Sequence, residues 1–183
     1  EPALTGGVVS SSQLPVLGAG TMRGPYGMNK QYSQGSIGST PALVGEWLYS
    51  TGGTDFVMPF TGYFLPFLPV AAQNTGGRTV LEVRAGTSKN YADQALVATG
   101  CGRTWFDGFQ IINVVPAATG DPDGLADTLV FDATIPVHVS LWMFNESGGR
   151  SNLMIGEAAG SGESNVTAGM VYTSALFVCR TEQ

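Results

Sequence analysis

The stretch that most resembles a chemical site is Asp121-Pro122-Asp123-Gly124-Leu125-Ala126-Asp127. Its three carboxylates surround a glycine at alternating and near-alternating positions. They could supply part of an oxygen cage for Ca²⁺, which takes roughly six to eight oxygen ligands. The spacing is not that of an EF-hand, because Leu125 stands at the fifth position and no glutamate closes the loop. Asp-Pro and Asp-Gly pairs also form turns, so a solvated turn accounts for the same residues and no metal is assigned. His138 is the single histidine. A Ser-His-Asp triad would have to use it, yet the chain has no Gly-x-Ser-x-Gly elbow. Flanked by Val137 and Val139, His138 reads as a packed strand residue. Asp107, between Phe106 and Gly108, is the one acid in a visibly apolar setting, and a single acid is not the carboxylate pair of a glycosidase. No enzymatic activity and no cofactor are expected.

Other residues have weaker chemical readings. Cys101 and Cys179 lack metal-ligand spacing; they could pair or both remain thiols. Asn145-Glu146-Ser147 and Asn165-Val166-Thr167 are N-glycosylation sequons. Trp47, Tyr49, Tyr91, Trp105 and Tyr172 could stack on sugar rings, although most large aromatics in a β-sandwich belong to the core.

The composition says what kind of scaffold must hold these residues. The 183 residues suit one domain, and 43% of them are hydrophobic while only 12% are charged. Few charges, 26 glycines and 10 prolines point to an all-β protein with many turns. So neutral a surface is readily buried against a partner or further copies of the chain. A net charge of −6, with eight scattered basic residues, argues against a nucleic-acid ligand, which requires clustered Lys and Arg. No apolar run is long enough for a membrane span.

Residues 1–41 are rich in Gly and Pro and sustain no strand or helix period. They still carry Val8, Val9, Leu14, Leu17 and Tyr26, more apolar content than a plain linker. An extended arm that docks on a neighbour is expected there, with 42–183 as the head. In the head, strands are expected at Leu43–Tyr49, in the Phe56–Arg84 stretch, at Gln94–Thr99, Trp105–Val115, Thr128–Phe131, Val137–Phe144, Asn152–Ile155 and Met170–Arg180. Gly100-Cys101-Gly102 reads as a bend. The Phe56–Arg84 stretch reads as a hairpin about the Asn74-Thr75-Gly76-Gly77 turn. Along Val137–Phe144, Val137, Val139, Leu141 and Met143 share one face, and His138, Ser140, Trp142 and Phe144 share the other. About eight strands between turn signals fit a jelly-roll β-sandwich.

Within that frame, Phe56…Pro59-Phe60-Thr61-Gly62-Tyr63-Phe64 resembles the F-x-x-P-x-T-G-x-Y strand of C1q/TNF-like jelly rolls. Val80–Arg84 looks like the family's next strand. Val137–Asn145 is similar to its V-x-L-x-x-x-N strand, and Ser174–Val178 stands at its closing strand. The resemblance implies a homotrimer. Phe56, Phe60, Tyr63, Phe64, His138, Trp142 and Phe177 would be the interface candidates. It also implies a setting, since such heads sit on phage and viral fibres, on capsids and on secreted animal proteins. No Gly-X-Y stalk is present, and Arg exceeds Lys with abundant Gly and Ala, which favours a virion-surface protein of the capsid-decoration or head-fibre type. Val8, Val9, Leu14, Leu17 and Tyr26 would then attach it to a capsid or fibre protein. The alternative is a fibre-tip head gripping a host glycan through loops 86–92, 117–127 and 157–168. The sequence departs from the family at Pro66 and Pro69, which cannot donate to a ladder; each must sit where pairing ends or bulges.

Overall fold

The computed structural model describes residues 22–31, 37–47, 56–74, 76–103, 109–117, 129–133, 135–153 and 175–180. They form β1 (Met22–Gln31), β2 (Ala42–Trp47), β3 (Phe56–Val57), β4 (Gly62–Asn74), β5 (Arg78–Gly86), β6 (Ala95–Arg103), β7 (Phe109–Pro116), β8 (Pro136–Asn145), β9 (Ser151–Leu153) and β10 (Ala175–Arg180). Every pairing between these strands is antiparallel.

One sheet runs β2-β8-β5-β6, and the other runs β10-β4-β7 with β9 beside the end of β4. β1 turns the corner between them. Its first half pairs with β10 and its second half with β2. The register shifts between Arg23 and Tyr26. Gly24, at φ 128°, passes so close that a Cβ would lie 2.7 Å from the Leu176 carbonyl oxygen. At the opposite corner the ladder between β6 and β7 is short, with the pairs Ala98↔Pro116 and Thr99↔Val115. The β10–β4 pairing closes the circuit. This is an all-β jelly-roll sandwich.

Alternation along each strand builds the core. β5 contributes Leu81, Val83 and Ala85, and β8 contributes Val137, Val139, Leu141 and Met143. From the facing sheet come Phe64, Leu68, Val70, Ala72, Ile112, Val114, Leu176 and Val178. Trp47, Phe56 and Met58 fill the space between. The Phe56 ring meets Tyr26 and Phe64 edge-on, with centroids 5.2 and 5.4 Å away. That geometry sets the positive rim of one ring against the negative face of another.

Pro66 and Pro69 lie inside β4, and backbone alternation accounts for both. Gly62 exchanges hydrogen bonds with Phe131 on the side away from β10, so the amide positions of residues 64 and 66 face that side too. There the β7 ladder starts only at Leu68. Position 69 faces the opposite side, where β10 pairing has ended at Phe67 and β9 starts at Ala72. Each proline therefore falls in a gap between ladders, and neither costs a backbone bond.

Several expectations are corrected. β4 and β5 are not a hairpin, since the turn between them carries the chain from one sheet to the other. The head does not start at residue 42, because β1 is hydrogen-bonded on both edges within the sandwich. Gly100, Cys101 and Gly102 continue β6 instead of bending. Gly100 is required because a Cβ would meet the Asn113 carbonyl oxygen of β7 at 2.5 Å. Phe131 forms an isolated bridge to Gly62, with no strand around it. The trimer-interface candidates cannot all serve one interface. Phe56 and Phe64 are core residues, and Phe60 packs against that core. His138 and Trp142 lie on the outer face of one sheet, Tyr63 and Phe177 on the outer face of the other. The alternation of strand side chains separates residues that the sequence grouped by aromatic character alone.

Candidate functional site

Among the described residues, two outer faces and one end of the sandwich carry organised side chains. On the β2-β8-β5-β6 face, the segment after β5 folds back over the sheet. The Trp142 indole N–H donates to Gln94 Oε1 at 2.9 Å, and Gln94 Nε2 donates to the Ser88 carbonyl at 3.0 Å and to Ser140 Oγ at 3.3 Å. Arg84 donates to Glu82 at 2.6 Å and to the Gln94 carbonyl at 2.8 Å. The Tyr91 hydroxyl donates to the same Glu82 oxygen at 2.8 Å. Arg84 also lies 4.1 Å from the Tyr91 ring centroid, and Tyr91 meets Trp142 edge-on at 5.3 Å. Burial, then the hydrogen bond to Glu82, push the Tyr91 phenol above its ordinary range. Asn90 and Ser88 bond the Asp93 carboxylate and lower its pKa. These bonds join the groups to one another and fasten the loop. Tyr91 is therefore committed to the protein, and Trp47 is buried in the core; neither presents a free ring to a sugar. Tyr49, Trp105 and Tyr172 lie outside the described residues, as do Asp107 and the Asp121–Asp127 loop.

The β10-β4-β7 face is different. With Phe64, Leu68 and Val178 turned inward, Tyr63, Leu65, Phe177 and Cys179 point outward in register: Tyr63 pairs with Cys179 and Leu65 with Phe177. Met22 opposes Cys179 at one end of this row. Val115, on β7 beside Val114, stands at the other. Met22 and Val115 are each 55% exposed. Tyr63, Leu65 and Phe177 are half-buried, and Cys179 is covered. None of these six side chains carries a charge at neutral pH. Burial raises the pKa values of both Tyr63 and Cys179, and for Tyr63 the adjacent Cys179 raises it further. An antiparallel sheet with one wet face alternates polar with apolar residues; this one carries an apolar row on its outer face as well.

At one end of the sandwich, Asn145 is fully buried and ties three segments together. Its Nδ2 donates to the Gly76 carbonyl and to Ser151 Oγ, and its Oδ1 accepts from the Ser147 and Gly149 amides. Its own amide donates to the Gly38 carbonyl at 2.8 Å. Thr79 and Ser151 share a further hydroxyl bond of 2.6 Å. A sequon whose amide is engaged in this way has no free Nδ2 to carry a glycan in the folded chain. The sequence marked Asn145 only as a sequon and as the end of a strand motif. The nearby Gly148-Gly149 pair was the signal of a tight turn needing a cap. Nothing comparable flagged Gln94 or Ser140.

The remaining candidates are placed as follows. His138 is half-buried on β8 opposite Gly86. Tyr26 belongs to the core layer through Phe56, while Val8, Val9, Leu14 and Leu17 lie outside the described residues. Cys101 is an exposed free thiol on β6, and Cys179 is a buried one on β10, in the opposite sheet. No group of three His, Cys, Asp or Glu among the described residues could hold a metal ion.

No family model matches the sequence, and no curated protein matches it. Among solved structures, the fold is similar to that described as "Structure of Eiger TNF from S. frugiperda". The TM-score is 0.40 and the identity 10%, over 78% of this chain and 70% of that one.

Proposed function

We propose that this chain is a structural, homotrimeric head on the surface of a virus particle, with no catalytic role. The observation that carries the self-association is the uncharged outward row Met22, Cys179, Tyr63, Phe177, Leu65 and Val115 on a sheet already apolar inside. The strand circuit is closed by β10–β4 pairing, so association by strand addition at those edges is blocked and a face is the available surface. The low charge of the whole chain supports the same reading. Placement on a virion is supported by the composition and by the apolar residues ahead of β1, which would attach the head to a capsid or fibre protein.

Light scattering on the eluting protein tests the assembly. A mass about three times that of the 19.0 kDa chain is expected, and a single-chain mass at micromolar concentration would overturn it. For the attachment, binding to empty capsids or fibres should vanish when residues 1–21 are removed, and binding that survives would refute the arm's role.

A further inference from the structure

We propose that β10 is exchanged between copies of this chain, so that each sandwich is completed by the last strand of its neighbour. The inference rests on the self-association reading above. β9 and β10 lie one after the other along the same edge of β4: Leu153 pairs with Ala72, and Ala175 with Phe67. The step along β4 between those pairs is about 17 Å, at roughly 3.4 Å per residue. About five residues would cross it within one chain. The chain instead places the 21 residues 154–174 there, and a link of that length reaches up to about 70 Å.

The place that β10 fills is specific. Its residues pair with β1 on one edge and with β4 on the other, while Leu176 and Val178 are fully buried in the core. A β10 from a second copy makes the same pairs and buries the same side chains, so exchange costs no contact. It needs no free sheet edge, because the ladders already present simply form between two chains. The neighbour's opening is also close. Phe177 and Cys179 of β10 stand in the outward row, in register with Leu65 and Tyr63, on the face through which the copies meet. Sheets packed face to face lie about 10 Å apart, well within the reach of the link. A subunit joined in this way leaves only by drawing Leu176 and Val178 out of its neighbour's core, which suits a head that stays on a particle.

The test places Tyr63→Cys in the full-length chain together with Cys101→Ser. Positions 63 and 179 are ladder partners, with Cα atoms about 5.5 Å apart in a hydrogen-bonded pair, a separation that a disulfide spans. The assembled protein is treated with oxidised glutathione, then boiled in detergent without reductant. Exchange predicts chains that stay linked, up to about three times the 19.0 kDa chain. Phe67→Cys with Ala175→Cys, in a chain carrying Cys101→Ser and Cys179→Ala, repeats the measurement at the other end of the ladder. A single-chain band with both thiols consumed, from protein that was trimeric before oxidation, overturns the exchange and leaves the self-association standing. A single-chain mass before oxidation removes the self-association and the exchange with it. Thiols left free in both variants would show that β10 does not pair with β4 in the assembly, which overturns the exchange as well.

Discussion

Asn145 Nδ2 donates to the Gly76 carbonyl oxygen at 2.9 Å, joining the end of β8 to the turn that carries the chain between the two sheets. Asn145→Ala would leave that carbonyl, Ser151 Oγ and the Gly149 amide short of a partner. Buried orphans cost about 1–3 kcal/mol each, and the more exposed groups here can turn to water. A loss of about 2–4 kcal/mol in urea unfolding is expected. A loss below about 0.5 kcal/mol would mean that the three segments hold without this amide. Glu146→Gln is the control: it breaks a half-exposed ion pair with Arg78 and should cost less than about 1 kcal/mol.

Gln94→Leu removes the acceptor of the Trp142 indole and the anchor of the loop over the β2-β8-β5-β6 face. The buried indole N–H is then unsatisfied, at about 1–3 kcal/mol. Hydrogen exchange should accelerate through residues 87–94 while the β4 and β10 amides stay protected. Uniform acceleration across both sheets would show that the loop does not open on its own.

The two outer faces give opposite expectations for assembly. Phe177→Asp places a carboxylate in the uncharged row opposite Leu65. Burying an unpaired charge is costly enough to dissociate the assembly, and the core residues Leu176 and Val178 are untouched. A shift to the single-chain mass is expected, with the circular dichroism spectrum retained. His138→Ala, on the other sheet, should leave the mass unchanged. Dissociation by His138→Ala but not by Phe177→Asp would reverse the assignment of the faces.

Burial raises the Cys179 thiol above its ordinary value of 9.0 and the Tyr63 phenol above 10.0. Both groups bind their protons more tightly in the folded chain. Their contribution is complete below the ordinary thiol value and is lost as pH rises through that value and beyond. The urea midpoint should fall between pH 8 and about pH 10.5, and the Cys179→Ala, Tyr63→Phe double variant should flatten that fall. An equal slope in the variant would assign the alkaline loss to other groups.

The parts of the fold written in local chemistry were legible in the sequence. Alternation along Val137–Phe144 placed four core residues correctly, and the prolines announced that pairing must stop near them. What was not legible depends on long-range pairing. Nothing near Asn74 says that the next strand leaves for the other sheet. Nothing near Met22 says that Cys179 lies beside it. The site suffered more than the fold, because Phe64 and Tyr63 are adjacent, both aromatic, and face opposite ways. Composition weighs them alike, and only the register of β4 separates core from surface.

The closing pair of strands has a consequence for how the molecule comes into being. β1 has its place between β2 and β10, and β10 is the last described strand to leave the ribosome. Until it arrives, the first half of β1 has no partner on that edge, and Phe64 and Tyr26 lack Leu176 and Val178 as neighbours. Contacts so distant in sequence are slow to form, so the nascent chain exposes sticky surface until β10 arrives. A chain built in this way should depend on folding helpers during translation more than its finished stability would suggest.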